Sequence, residues 1–127
     1  MVTKTDSEIA TIVQGMITGI PVGISGILVT IVDQQVYFVE QSLDTSIGIT
    51  SIADKYQPVI TSFTAANVLS LMEGQGLGTQ SVSIGELSIN KGINQNSSAS
   101  MRLYAQEQLD ALKEILGEGI SYYKANG

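Results

Sequence analysis

Residues 9–32 form a run without a charged side chain, and this run limits the folds that are open to the chain. Its length exceeds the roughly 20 residues that a helix needs to span a bilayer. However, four glycines and Pro21 interrupt it, and no cluster of Lys or Arg flanks it to set a membrane orientation. We therefore expect two buried helices with a bend at residues 20–25. A small membrane-associated, holin-like protein that uses residues 9–32 is the alternative.

Composition excludes several classes of site. Of 127 residues, 43% are hydrophobic and 14% charged, which fits one domain with one core. Histidine, cysteine and tryptophan are absent, which excludes disulfides, thiolate nucleophiles, imidazole bases and zinc sites built on Cys or His. The net charge of −6 argues against nucleic-acid binding through phosphate contacts. We expect no enzyme, no cofactor and no metal site.

The N-terminal third is predicted to be helical. Thr5-Asp6-Ser7 is typical of a helix start, and apolar residues then recur at three- and four-residue spacing, which predicts a helix over about 7–19. Residues 26–42 contain β-branched side chains that would suit a strand. The segment lacks a turn signal over its length, which favours a helix. A turn is expected at Asp44-Thr45-Ser46 and Gly48.

A further helix is expected to start near Pro58, where the missing N–H costs nothing, and to end at Gly74, Gly76 or Gly78. Its predicted apolar face consists of Val59, Phe63, Ala66 and Ser70, widened by Ile60, Val68, Leu69 and Met72.

Residues 81–89 form the strand-like passage of the chain. Glycine at the first position of Gly85-Glu86 is typical of a type II′ turn, which requires a positive φ at Gly85. This register places Val82 opposite Ile89, Ser83 opposite Ser88, and Ile84 opposite Leu87. A hairpin of this size is only marginally stable alone, so it must pack on the helices or on another subunit.

The last helix is predicted to begin at Ser97 or Ser98, either of which could act as N-cap. Its apolar stripe consists of Met101, Tyr104, Ala105, Leu109, Leu112, Leu116 and Ile120, and its polar face of Arg102, Gln106, Glu107, Asp110, Lys113 and Glu114. We expect Gly117 and Gly119 to end the regular helix. The short tail that follows is expected to contact another subunit or a docking partner.

Together these patterns predict a mainly α fold: a small bundle of about four helices with one short β-hairpin and a long C-terminal helix. The chain is expected to be a single domain, with a helical core at about 7–74, a hairpin and loop at about 79–97, and the C-terminal helix and tail at about 98–127. The high apolar content of so small a domain predicts a homo-oligomer. The expected partner-binding residues are Val82, Ile84, Gly85, Leu87, Ile89, Ile120, Tyr122 and Tyr123.

The order of these parts resembles the head–tail connector (adaptor) proteins of long-tailed bacteriophages and related viruses. The resemblance covers about residues 55–124. It rests on the helix that starts at Gln57-Pro58-Val59-Ile60, the passage Ser-Val-Ser-Ile-Gly-Glu-Leu-Ser-Ile at 81–89, the polar loop and the long amphipathic helix. Residues 9–32 depart from the family pattern, since they are more apolar and richer in glycine.

The resemblance implies a virion protein that is assembled in the host cytoplasm as a ring, typically of twelve subunits. Its partners would be its own copies, the portal protein and the tail proteins. Genomic DNA would pass through the ring without specific binding, which agrees with the acidic charge of each subunit. A soluble protein-interaction module of unknown partner is a further alternative.

Overall fold

The structure is a computed structural model that describes residues 3–17, 19–74, 81–84, 87–90 and 97–126, with side chains for residues 3–17, 19–74 and 98–115. The chain is mainly α, as the sequence predicts. The elements in order are α1 (Asp6–Met16), α2 (Val22–Ser25), α3 (Leu28–Leu43), α4 (Gln57–Gly74), β1 (Ser81–Ile84), β2 (Leu87–Asn90) and α5 (Ser97–Asn126). A single 3-10 turn, Asp54–Tyr56, leads into α4.

Helix α1 begins where the sequence predicts. The Thr5 hydroxyl accepts a hydrogen bond from the Glu8 N–H (3.2 Å), and the Glu8 carboxylate accepts one from the Thr5 N–H (2.8 Å). This reciprocal pair satisfies two backbone donors of the first turn. The helix ends at Met16, three residues earlier than expected, because Ile17 is extended and Gly19 has a φ of 79°.

The expected bend contains one short helix. Pro21 is the N-cap of α2, which occupies four residues of the predicted bend at 20–25. The uncharged run is thereby divided among α1, α2 and the start of α3. None of the helices in the described part of the chain is long and apolar enough to cross a membrane.

Helix α3 confirms the helical interpretation of residues 26–42, and the turn that follows is held by one side chain. Asp44 caps the helix in the left-handed conformation with a φ of 53°. The Glu40 carboxylate then accepts hydrogen bonds from the backbone N–H groups of Ile47 (2.7 Å) and Gly48 (2.8 Å). The chain leaves the turn beside the N-terminus, where Lys4 and Ile52 exchange two backbone hydrogen bonds.

Helix α4 is the centre of the molecule. It packs against α1, α3 and α5, and side chains are buried around almost its whole circumference. Buried hydroxyls on this helix are satisfied locally, as where Thr64 donates to the Ile60 carbonyl (2.8 Å). Ser70 is exposed and does not belong to the predicted apolar face. Gly74 is the last residue of α4 and lacks a positive φ, and Gly76 and Gly78 lie outside the described residues.

Strands β1 and β2 pair antiparallel, with Val82 opposite Ile89, Ser83 opposite Ser88, and Ile84 opposite Leu87. The backbone of β1 lies against α1. Residues 85 and 86, and with them the predicted turn type and the φ of Gly85, lie outside the described residues.

Helix α5 corrects the prediction for the C-terminus. Met101, Ala105, Leu109 and Leu112 are buried as the stripe predicts. The helix does not end at Gly117 or Gly119 but continues to Asn126, so the expected tail is helical. An interior glycine costs only about 1 kcal/mol relative to alanine, and no proline follows to stop the helix.

Candidate functional site

The predicted contact residues fall on two regions of the chain, the paired strands and the end of α5. Four of them lie on the paired strands, and Ile120, Tyr122 and Tyr123 lie on the last turns of α5. For these seven residues the structure describes the backbone, and Gly85 lies outside the described residues. The contact surface expected from the sequence therefore maps to the hairpin and to the C-terminal end of α5.

Two polar contacts fix how α5 lies on α4. Ser98 at the start of α5 is bonded to Glu73 at the end of α4, and the Ser62 hydroxyl donates to the Gln108 amide oxygen. The two helices are therefore antiparallel, and the first residue of α4 lies opposite residues 113–114. The twelve residues from Ile115 to the end of α5 extend past α4, over about 18 Å at 1.5 Å per residue.

The start of α5 is capped by a residue of another helix. The Glu73 carboxylate accepts hydrogen bonds from the Ser98 backbone N–H (3.0 Å) and from the Ser98 hydroxyl (2.7 Å). A carboxylate at a helix N-terminus satisfies an unpaired donor and interacts favourably with the helix dipole. Ser98 is therefore not the N-cap, because α5 starts at Ser97 and Ser98 lies within its first turn.

Large apolar side chains are exposed on α3 and on α5. On α5, Ile115 is 68% exposed and Leu103 is 62% exposed. On α3, Val29, Tyr37 and Phe38 are exposed as well. Single exposed apolar residues are ordinary on protein surfaces. Ile115 is distinct because it lies where α5 passes beyond α4 and precedes the predicted contact residues.

A pair of carboxyl groups joins α1 to α3. Asp33 Oδ1 is buried and has no hydrogen-bond donor in the described part of the chain. Burial raises the pKa of Asp33 from its ordinary value of 3.8 to about 6, and the hydrogen bond and charge of Asp6 add to this effect. The fold therefore favours the protonated form of the Asp33 carboxyl at mildly acidic pH.

An open cavity of about 240 Å³ lies between α3, α4 and α5. It is lined by Gln34, Gln35, Phe38, Phe63, Asn67 and Arg102. The Phe38 and Phe63 rings meet edge to face, with centroids 5.1 Å apart. The sequence does not indicate this group, although the predicted place of Arg102 on the polar face of α5 agrees with its exposure. Only the packing of three helices brings these residues together.

The described residues include no cluster of three or more His, Cys, Asp or Glu side chains that could hold a metal ion.

No protein-family model matches the chain, and no curated protein or solved structure matches it significantly.

Proposed function

We propose that the protein is the subunit of a homo-oligomeric ring, and that this ring is a head–tail connector of a virion. The proposed subunit is a small bundle of about four helices that uses the hairpin and the C-terminal part of α5 for contacts. The viral assignment rests on the sequence resemblance over about residues 55–124. The ring would join the portal protein to the tail proteins and extend the DNA channel.

The extension of α5 past α4 carries the assembly proposal. Twelve helical residues beyond Glu114 have no α4 residue opposite them. An isolated helix of this length is marginal in water, so packing on another surface would stabilise it. Ile120, Tyr122 and Tyr123 lie in this segment, and tyrosine is enriched at protein interfaces.

The charge of the subunit supports the channel role. Each copy carries a net charge of −6, so a ring of about twelve copies would be strongly acidic. Such a lumen does not bind phosphates, which allows DNA to slide through it.

Ile115→Glu tests the proposal at the extended part of α5. Ile115 is largely exposed, so the substitution leaves the subunit fold intact and places a charge at the proposed contact. We expect a loss of the assembled species in size-exclusion chromatography with light scattering.

Leu103→Glu is the matched control. Leu103 is similarly exposed on the same helix but lies in the segment that pairs with α4, so assembly should be retained. Equal assembly of both variants and the parent would contradict the role of the extended segment. A parent protein that is monomeric but captures a different protein would favour the soluble interaction module.

A further inference from the structure

The cavity between α3, α4 and α5 contains a buried polar side chain without a partner. Gln35 is only 8% exposed and has no hydrogen-bond partner in the described part of the chain, yet it lines the cavity. The Gln35 carboxamide is not fully buried and reaches the open cavity, where its hydrogen-bonding groups are available. A ligand in the cavity could form these hydrogen bonds in place of water.

Arg102 gives the cavity its charge. It is the only arginine of the chain, and it has no ion-pair or hydrogen-bond partner among the described residues although acidic residues outnumber basic ones by 12 to 6. A guanidinium group binds a carboxylate through two parallel hydrogen bonds. The free guanidinium therefore favours a carboxylate as the charged part of the ligand.

Asn67 and Phe38 indicate which uncharged groups the ligand carries. The side-chain N–H of Asn67 donates to the Phe63 carbonyl (2.9 Å), which leaves the Asn67 amide oxygen to accept a hydrogen bond. Phe38 is partly exposed and offers an apolar wall. The volume is below the about 300–1,000 Å³ of pockets for drug-sized ligands, so the ligand is small or is the end of a larger chain.

We propose that this cavity binds a terminal carboxylate that adjoins an amide and an apolar group. Arg102 holds the carboxylate, Gln35 and Asn67 hydrogen-bond the amide, and Phe38 contacts the apolar part. A free N-acylated amino acid and the C-terminal residue of a polypeptide share this chemistry. This proposal does not depend on assembly into a ring.

The test is a titration of the full ¹⁵N-labelled chain with N-benzoylglycine, followed by NMR. We expect saturable shifts of the Gln35 and Asn67 side-chain amides and of the Arg102 Nε–H signal at millimolar ligand. N-benzoylglycinamide has the same shape without the charge and should leave these signals unchanged. A short peptide with a free C-terminus and its amidated form, titrated in parallel, distinguish the polypeptide source from the free one.

Two variants decide the role of Arg102. Because Arg102 is exposed, Arg102→Gln should fold normally and weaken binding at least tenfold. Lys113→Gln removes one positive charge from an exposed position of the same helix and should leave the affinity unchanged. The proposal is overturned if neither carboxylate probe gives saturable shifts. It is also overturned if the amides bind equally or if both variants behave alike.

Discussion

The ionisation of Asp33 couples the packing of α1 on α3 to pH. Its buried Oδ1 has no donor in the described residues, and its pKa is raised to about 6 by burial and by Asp6. The fold therefore favours the protonated carboxyl. The stability that this proton contributes is fully present below the unfolded value of 3.8 and is lost as the pH rises through about 6.

Asp33→Asn should remove this pH dependence. Asparagine resembles the protonated carboxyl, so the variant should be more stable than the parent at pH 7.5, by about 1–2 kcal/mol after allowance for solvent screening. The two proteins should be nearly equal at pH 3.5. Urea unfolding followed by circular dichroism at both pH values measures the difference.

Asp44→Asn is the control for the loss of one negative charge. Asp44 is exposed at the end of the same helix, and asparagine tolerates its left-handed backbone. If Asp44→Asn and Asp33→Asn gain stability equally at pH 7.5, the net charge, and not the Asp6–Asp33 pair, determines the change in stability.

Glu73→Ala should destabilise the junction between α4 and α5. The variant leaves the Ser98 N–H and hydroxyl without their acceptor, and loss of such a cap costs about 1 kcal/mol. Glu107→Ala removes a carboxylate from an exposed position of α5 and should change the free energy of unfolding by less. If chemical denaturation shows that Glu73→Ala and Glu107→Ala lower the free energy of unfolding equally, the capping role of Glu73 is contradicted.

At the residue scale, the sequence predicted what depends on neighbouring residues. Thr5-Asp6-Ser7 predicted the start of α1, and the contact that caps it joins Thr5 to Glu8, only three residues away. The Glu73–Ser98 contact joins residues 25 positions apart, and Arg102 and Gln35 line one cavity only because α3 and α5 both pack on α4. No local pattern indicates such contacts.

At the scale of elements, periodicity predicted the helices well and their ends less well. The stripe on α5 identified Met101, Ala105, Leu109 and Leu112 as core residues. The predicted end of α5 is wrong because glycine does not stop this helix, which continues through both Gly117 and Gly119. Helix α1 ends early because Gly19 adopts a positive φ before Pro21.

Leu109→Ala tests the packing of α5 on α4. Leu109 is 1% exposed, so the substitution should leave a cavity and cost about 2–5 kcal/mol. Leu103→Ala changes an exposed leucine of the same helix and should cost less than about 0.5 kcal/mol. Thermal unfolding by circular dichroism separates the two, and similar midpoints would contradict the position of α5.

At the scale of the molecule, the helices of one chain share a core, and α5, with 30 residues, is longer than α4, with 18 residues. Helix α4 packs against α1, α3 and α5, and the register set by Ser62–Gln108 and Glu73–Ser98 carries the last twelve residues of α5 beyond the first residue of α4. This arrangement suits a subunit whose core folds alone and whose last helix packs on a neighbour. The ring and its place in a virion stay predictions, because they rest on the sequence resemblance and on this extension.

Native mass spectrometry of the full chain shows whether the subunits close into a ring. We expect one dominant assembly whose mass is a fixed multiple of the 13.4-kDa chain, near twelve subunits, and whose size does not grow with concentration. A closed ring has this property because its subunits leave no free contact surface. A 13.4-kDa monomer at every concentration, or an open-ended series of masses, would contradict a closed ring.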